Sequence, residues 1–564
     1  MARTVSIGAQ GFENIRKNNL FYVDKTGFMS DWWNSHDDVT LICRPRRFGK
    51  TLNLDTVRCF FSTEFAGRGE ELFGGLDVWQ DPKMQKLQGT IPVVSISFAD
   101  IKSSNYKDAM SGIRINLRVE TTRHRYLLES DKVSRDDQSA LTRVSDNMDD
   151  VTAARALQLL CRALYAHWGT KPIVLLDEYD TPMQEAWVGG YWDEMSSFMR
   201  SLMNSTFKSN PSLGRALMTG ITRVSRESMF SDLNNLRVLT VSSDAYQSSF
   251  GFTEDEVKSI LVEFDMSNQL SDIKAWYDGF RFGGLNGIYN PWSITCLLKE
   301  HKLQPYWMNT SSNALAADVV RQGSSALKKD FETLLAGDIV TRQVSDQIVF
   351  SDLSSKPDAV WGLLLASGYL TTTGEVPENA TNELSLKLTN YEVQLGFDDM
   401  ISRWFGMSEE DYDDFIGAVL KGDVKAANHY LSDVTLACIS SFDGATKTAE
   451  SQPERFYHGL VLGMLAKLRG LYTVESNRES GWGRYDIMLV PLDGATSARP
   501  AVIIEFKVFD PDEETTLQDT VERALAQIKE RAYATALIER GVSAEHILSY
   551  GMAFRGKEVL VSRA

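Results

Sequence analysis

The chain has little basic charge to spare. Across 564 residues, 76 acidic side chains outnumber 59 basic ones, for a formal net charge of -17. That excludes a uniformly basic nucleic-acid binder, because phosphate contacts come mainly from Lys and Arg. The deficit is uneven: from Ser451 to Ala564 there are 14 Lys or Arg against 16 Asp or Glu, so nearly all the excess acid lies upstream. A local basic groove near the C-terminus stays open. Cysteine is scarce as well, with five residues (Cys43, Cys59, Cys161, Cys296 and Cys438) scattered and mostly in apolar stretches. An odd, unpatterned set excludes a disulfide framework and zinc spacing, and it suits buried thiols in a reducing compartment. No apolar run approaches the roughly 18 residues of a membrane span, and "MARTVSIGAQGFENIRK" lacks an apolar signal core. The expected location is the cytoplasm, with no membrane partner. Internal repeats and low-complexity tracts are also lacking.

What remains is an ordinary globular composition, 43% hydrophobic and 24% charged, too long for one core, so two to four domains are expected. Val39 to Cys43 reads as a short buried strand. The loop "RPRRFGK" follows, and then "TLNLDTVRCFFS", whose Leu52, Leu54, Val57, Phe60 and Phe61 fit a helix face. "IPVVSISFA" (Ile91 to Ala99) is a second β-branched run, followed by helical character to about Trp168. "KPIVLLDEYDTP" and "GRALMTGITRVS" each carry an apolar run into polar residues. Such alternation predicts a parallel sheet covered on both faces. After Gly251 the texture turns aromatic and loop-rich, 326–450 reads as mainly helical, and another α/β pattern begins at Glu454. In "TLQDTVERALAQIKERAYATAL", Leu517, Val521, Ala524, Ile528 and Ala532 fall near helical spacing.

Residues Leu41 to Thr51, "LICRPRRFGKT", end like a phosphate-binding loop but carry Arg44 where the usual pattern has glycine. Such a loop works because backbone N–H groups and a helix N-terminus face the anion, a lysine reaches the terminal phosphates and a hydroxyl ligates magnesium. Gly49, Lys50 and Thr51 supply those parts, with Arg46, Arg47 and Phe48 completing the loop. Ile173 to Leu176 form a buried strand ending in Asp177 and Glu178. Asp177 is placed to hold a magnesium shell and Glu178 to orient and deprotonate water, although an acidic pair at a strand end can also simply open a solvated loop. The strand Ile91 to Ala99 is expected between the two motif strands, as in the additional-strand class of P-loop ATPases. By the same logic Thr219 would bond the attacking water or the γ-phosphate, and Arg223 and Arg226 would stabilise charge or be plain surface arginines.

Together "GFENIRKNNLFYVDKT", "RPRRFGKTL", "VLLDEYDTP", "TGITRVSRESMFSDLNNL", "WYDGF", "YNPWSI" and "YWMNTSSN" resemble the bacterial AAA-ATPase-like family over residues 1–320. In that family the loop typically begins Arg-Pro-Arg-Arg-Phe-Gly-Lys, so the resemblance makes Arg44 part of a known loop variant. Ser231-Asp232 departs from the Ser-Gly expected there. Tyr22 to Thr26 would border adenine or ribose, or else form a polar cap on the core.

Near the C-terminus, "GRYDIMLV" and "AVIIEFKVF" place Asp486, Glu505 and Lys507 on apolar strands. Strand alternation points Glu505 and Lys507 together and Phe506 away. Two carboxylates suit a hard cation such as magnesium, and the lysine can position water or stabilise a pentavalent phosphate. These residues resemble the PD-(D/E)XK nuclease superfamily from Glu454 onward, without the proline of its name, since Tyr485 precedes Asp486. The resemblance implies Asp486 and Glu505 as metal ligands, Lys507 as the catalytic lysine, Glu454 completing the metal shell and Gln527 as a secondary site residue. Tyr533 shares the region of Gln527, and His458 reads as a packing residue.

The expected fold is α/β multidomain: a P-loop NTPase core with a parallel sheet (1–250), a lid region (251–325), a mainly helical middle region (326–450) and a restriction-endonuclease-like domain (451–564). The expected cofactors are ATP and Mg2+, with Mn2+ an option at the nuclease site. The expected partner is nucleic acid, DNA first, with RNA and the oligomeric state left open.

Overall fold

The computed structural model describes residues 2–310 apart from 209, 224–229 and 231–232, and residues 325–404 apart from 336, 346–357 and 375–382. It also describes 409–442, 461, 465, 468, 471–476, 479–480, 483–484, 486–492, 499–511, 513–556 and 558–564. These residues form two compact units, Met1–Gly323 with Ile339–Gln394, and Ser324–Asp338 with Leu395–Ala564. The span expected as one mainly helical region is therefore divided between them.

The first unit is built on β1 (Val39–Cys43), β2 (Val93–Ser97), β3 (Ile173–Asp177), β4 (Arg215–Gly220) and β5 (Leu236–Leu239). They form one sheet in the order β2-β3-β4-β1-β5, and every pairing is parallel. Parallel strands must be covered on both faces, and β1 and β3 are buried at every position. Val39, Leu41 and Cys43 pack in one cluster with helices Tyr106–Arg123, Asp150–Trp168 and Trp192–Met203. Helix Lys50–Phe61 covers β3 from the other side.

One expectation is corrected by the topology. The strand lying between the two motif strands is β4, whereas β2, the Ile91 to Ala99 run, is the sheet edge. Order along the chain does not dictate order in a sheet, because the helical crossover after β2 lets the chain return on either side of β1.

Around the sheet, β6 (Phe252–Thr253), β7 (Phe280–Phe282) and β8 (Leu285–Tyr289) make a three-stranded sheet in the order β6-β8-β7. A further antiparallel sheet, β10-β11-β9, comes from β9 (Val340–Gln343), β10 (Leu370–Thr372) and β11 (Glu383–Leu388), inside the span expected as helical. Its tie to the rest of the first unit includes Gly279, which has φ 130 and approaches so closely that an added Cβ would lie 1.9 Å from the Thr389 carbonyl oxygen.

The second unit is a mixed sheet. Its strands are β12 (Tyr472–Ser476), β15 (Ile487–Pro491), β16 (Ala501–Val508), β17 (Ile547–Arg555) and β18 (Glu558–Arg563), in the order β12-β15-β16-β17-β18. The short pair β13 (Glu479–Ser480) and β14 (Gly483–Arg484) stands apart. β16 and β17 run parallel and the other neighbours antiparallel. Val502, Ile504 and Phe506 share a core with helices Glu409–Lys421 and Val424–Phe442. Ala501 and Ile503 face helix Leu517–Glu530 instead. That helix is shorter than its apolar spacing suggested: it ends at Glu530, and Ala532 takes φ 52, which turns Tyr533 back into the core. The exposed edge β18 is closed by Asn428, whose Nδ2 donates to the Val561 carbonyl and whose Oδ1 accepts from its N–H, both at 2.7 Å. Such capping blunts an edge that would otherwise template strand addition. Among the described residues no helix is long and apolar enough to cross a membrane.

Candidate functional sites

Three adjacent strands, β1, β4 and β3, deliver their carboxyl ends to one place, which is where open parallel sheets bind ligands. The loop after β1 turns through Arg47 at φ 65 and Gly49 at φ 81, and Gly49 precedes helix Lys50–Phe61. A chain turning through the left-handed region at a helix N-terminus aims successive N–H groups into one concavity. The space beside it is open: a Cβ built on Gly49 would meet nothing within 4 Å. Lys50 is buried, with its ammonium donating to the carbonyls of Arg44 at 2.9 Å and Pro45 at 2.8 Å. Burial pushes that ammonium's pKa down, against the charges of Glu178, Asp177 and Asp180.

Asp177, at the end of β3, accepts from Thr51 Oγ1 at 2.7 Å on one oxygen and from Thr219 Oγ1 on the other. Burial raises its carboxyl despite these hydroxyls. Thr51, Asp177 and Thr219 thus stand together, an oxygen donor set suited to magnesium. Glu178, half-buried, has φ 49 and accepts from Thr181 Oγ1 at 3.2 Å. Left-handed backbone at a non-glycine residue is uncommon and concentrates at functional sites. Arg223 is half-buried two residues beyond Ile221 at the end of β4. Arg226 and the Ser231-Asp232 departure lie outside the described residues.

The arginine in the glycine position is turned into the protein. Arg44 is fully buried, donating through Nη1 to the carbonyls of Cys43 at 2.9 Å and Thr240 at 2.7 Å. Its guanidinium lies 4.7 Å from the Phe282 ring centroid and 5.9 Å from that of Phe250. It therefore ties the start of the loop to the segment after β5 and to β7. The ring of Phe48, a residue expected at the nucleotide, is buried against Phe280 and Phe282 and anchors the loop. Arg46 and Arg47 are exposed at the loop apex, Arg47 over the Trp292 ring at 4.3 Å.

Residues to which the sequence reading gave no individual role hold this loop from outside. The Arg46 carbonyl accepts from Trp307 Nε1 at 3.1 Å and Asn290 Nδ2 at 3.4 Å. Asn290 also caps helix Pro291–Glu300, accepting from the N–H of Trp292 at 2.8 Å. Glu392 is 1% exposed and accepts from the Trp307 N–H at 2.5 Å and Ser293 Oγ at 2.8 Å. The Asn-Pro dipeptide signals a helix cap in sequence. Trp307 lies in the block "YWMNTSSN", but nothing local signals its bond to Arg46, and nothing signals Glu392; both arrive from distant segments. Asp24, weighed as a neighbour of adenine or ribose, spends its carboxylate on the Thr26 N–H and hydroxyl and on the Asp77 N–H at 2.7 Å. Lys25 pairs with Glu256 at 2.6 Å. Both are contacts of a structural tie.

In the second unit, Asp486 lies one position beyond the Ile487↔Ile504 pair, opposite Glu505 across the antiparallel β15–β16 ladder. Its Oδ2 accepts from the Phe506 N–H at 2.8 Å, and burial raises its carboxyl. Glu505 is 1% exposed; its Oε1 accepts from Lys507 Nζ at 3.1 Å and from Gln527 Nε2. Gln527 also donates to the Tyr533 hydroxyl at 3.2 Å. Glu505 and Lys507 share the face of β16 turned to helix Leu517–Glu530, with Phe506 in the opposite core, as strand alternation requires. Two carboxylates on neighbouring strands fit a hard cation. Among the described residues no group of three or more candidate metal ligands occurs. Glu454 and His458 lie outside those residues. Cys43, Cys59, Cys161 and Cys296 are buried free thiols.

Comparison with known proteins finds a family for each of the two regions that hold these residues. Residues 6–230 match the family described as "Predicted AAA-ATPase", and residues 452–564 match the PD-(D/E)XK nuclease superfamily. A curated relative is the "Uncharacterized protein in vnfD 5'region" of Azotobacter chroococcum mcd 1. It is 27% identical over 402 residues, which covers 71% of this chain and 70% of that protein.

Proposed function

We propose, from the premise that this chain joins an AAA-ATPase-like region to a PD-(D/E)XK nuclease-superfamily region, that it binds and hydrolyses ATP and cleaves nucleic-acid phosphodiesters, DNA first, under nucleotide control. The observation that carries the first half is the meeting of Lys50, Thr51, Asp177 and Thr219 at the ends of three adjacent parallel strands. The loop N–H groups hold the phosphates, and Lys50 leaves the Arg44 and Pro45 carbonyls to neutralise them. Thr51 and Asp177 would hold Mg2+, which when bound offsets charge on the phosphates. Glu178 takes the proton of the attacking water, Thr219 orients that water, and Arg223 offsets charge developing on the transferred group.

The second half rests on Asp486, Glu505 and Lys507. The two carboxylates would hold Mg2+ or Mn2+, which when bound lowers the pKa of water and polarises the phosphodiester. Lys507, held by Glu505, positions the water and counters charge on the pentavalent phosphorus, while Gln527 fixes the Glu505 carboxylate.

The test is cleavage of linear and circular DNA and of RNA with Mg2+ or Mn2+, with and without ATP, by wild-type, Lys50→Ala and Lys507→Ala proteins. Cleavage lost in Lys507→Ala establishes the nuclease, and dependence on ATP and on Lys50 establishes its control. Absence of cleavage under every condition, with ATP still bound, would leave a nucleotide-switched binding protein.

A further inference from the structure

Asp180 has no part in the catalytic set above, yet it is 1% exposed. It stands immediately before helix Thr181–Gly189 but makes no side-chain cap there. Its Oδ2 turns instead to the end of β4, accepting from the N–H groups of Ile221 at 3.0 Å and Thr222 at 2.8 Å and from Thr222 Oγ1 at 2.8 Å. Gln184 Nε2 donates to the same oxygen at 2.9 Å. Tyr179 completes the grip, with its phenol donating to the Thr222 carbonyl at 2.7 Å. Oδ1 has no hydrogen-bond partner and lies over Gly220, where an added Cβ would come within 2.7 Å of it. A carboxylate buried with one oxygen unsatisfied is costly. A helix cap would not require it, since serine or asparagine caps without the charge.

The held turn lies between two candidate residues. Thr219 precedes it, bonded to Asp177, and Arg223 follows Thr222 directly. Arg223 forms no ion pair with the described residues. We propose that Asp180 is a positioning residue that fixes the turn after β4 so that Thr219 and Arg223 meet the terminal phosphate of a nucleoside triphosphate, making the site tell triphosphate from diphosphate. The inference rests on the nucleotide reading of this site. Loop N–H groups serve the inner phosphates of either nucleotide, whereas only a triphosphate reaches the β4 turn.

The test measures the dissociation constants of fluorescent ATP and ADP analogues with magnesium, using the full-length wild type, Asp180→Asn and Tyr179→Phe. Asp180→Asn is expected to weaken ATP binding about tenfold, the worth of one charge-assisted hydrogen bond, while ADP stays within about twofold. Tyr179→Phe, which removes the other tether of Thr222, shifts the ratio in the same direction by less. It carries the test alone if Asp180→Asn does not fold. Equal weakening of both nucleotides, or no change in either, overturns the proposal, because a purely structural residue would not separate them. Wild-type protein binding neither nucleotide overturns the nucleotide reading itself, and this inference with it.

Discussion

Restoring the usual glycine of the phosphate loop, Arg44→Gly, should damage the protein. The substitution removes three hydrogen bonds from a charged donor, a long one to the Ala245 carbonyl at 3.4 Å and two close ones to Cys43 at 2.9 Å and Thr240 at 2.7 Å, the close pair together worth roughly 3–6 kcal/mol. It also removes guanidinium contacts with the rings of Phe282 and Phe250, about 1–4 kcal/mol for the pair. A new glycine adds about 1 kcal/mol of unfolded-state entropy. Against these stands the relief of burying a cation, since burial pulls the guanidinium pKa down to about 10. At about 1.4 kcal/mol per tenfold change in the protonation equilibrium, that relief returns roughly 3 kcal/mol. The losses win, and the net destabilisation is on the order of 4 kcal/mol. Urea unfolding followed by tryptophan fluorescence should show the lower midpoint, and the affinity for a fluorescent ATP analogue should not rise. A variant as stable as wild type would refute the assignment of Arg44 as the tie of the loop.

Glu392 carries a pH signature, because burial raises its carboxyl to about 7. Its stability contribution is fullest below the ordinary glutamate range near 4.5 and is lost as pH rises to about 7, an effect of about 3 kcal/mol. Glu392→Gln should flatten that window in urea titrations compared at about pH 5 and pH 8, and an unaltered pH slope would sink the claim. Gly279→Ala must place a Cβ 1.9 Å from the Thr389 carbonyl oxygen at φ 130. A loss of about 3 kcal/mol or more is expected, so an unchanged thermal midpoint would contradict the packing. Asp24→Ala should cost about 1–2 kcal/mol through the Thr26 and Asp77 bonds yet leave the ATP-analogue affinity as it was. A fall in affinity would return Asp24 to the nucleotide site.

Much of both sites is legible in the sequence because the signals are local. Gly49, Lys50 and Thr51 form one short loop, Asp177 ends a wholly apolar strand, and Glu505 and Lys507 share a strand face by alternation alone. Four of the five parallel strands also follow from their apolar runs, whereas β5, short and only partly buried, is not read from the sequence. The order of those strands is not local, and it is the order that sets β4 between β3 and β1 and so brings Thr219 against Asp177. The arginine at position 44 shows the same division. Its sequence marks a loop variant, but only folding supplies the Thr240 carbonyl and the Phe282 ring that make a buried cation tolerable. Asp180, Trp307 and Glu392 obtain their roles from partners up to 261 residues away in the chain. Hydrophobic period and turn chemistry act over a few neighbouring residues, so sequence by itself determined the elements and the chemistry each carries. Which elements meet depends on burying all their apolar faces at once, and that only the tertiary structure decided.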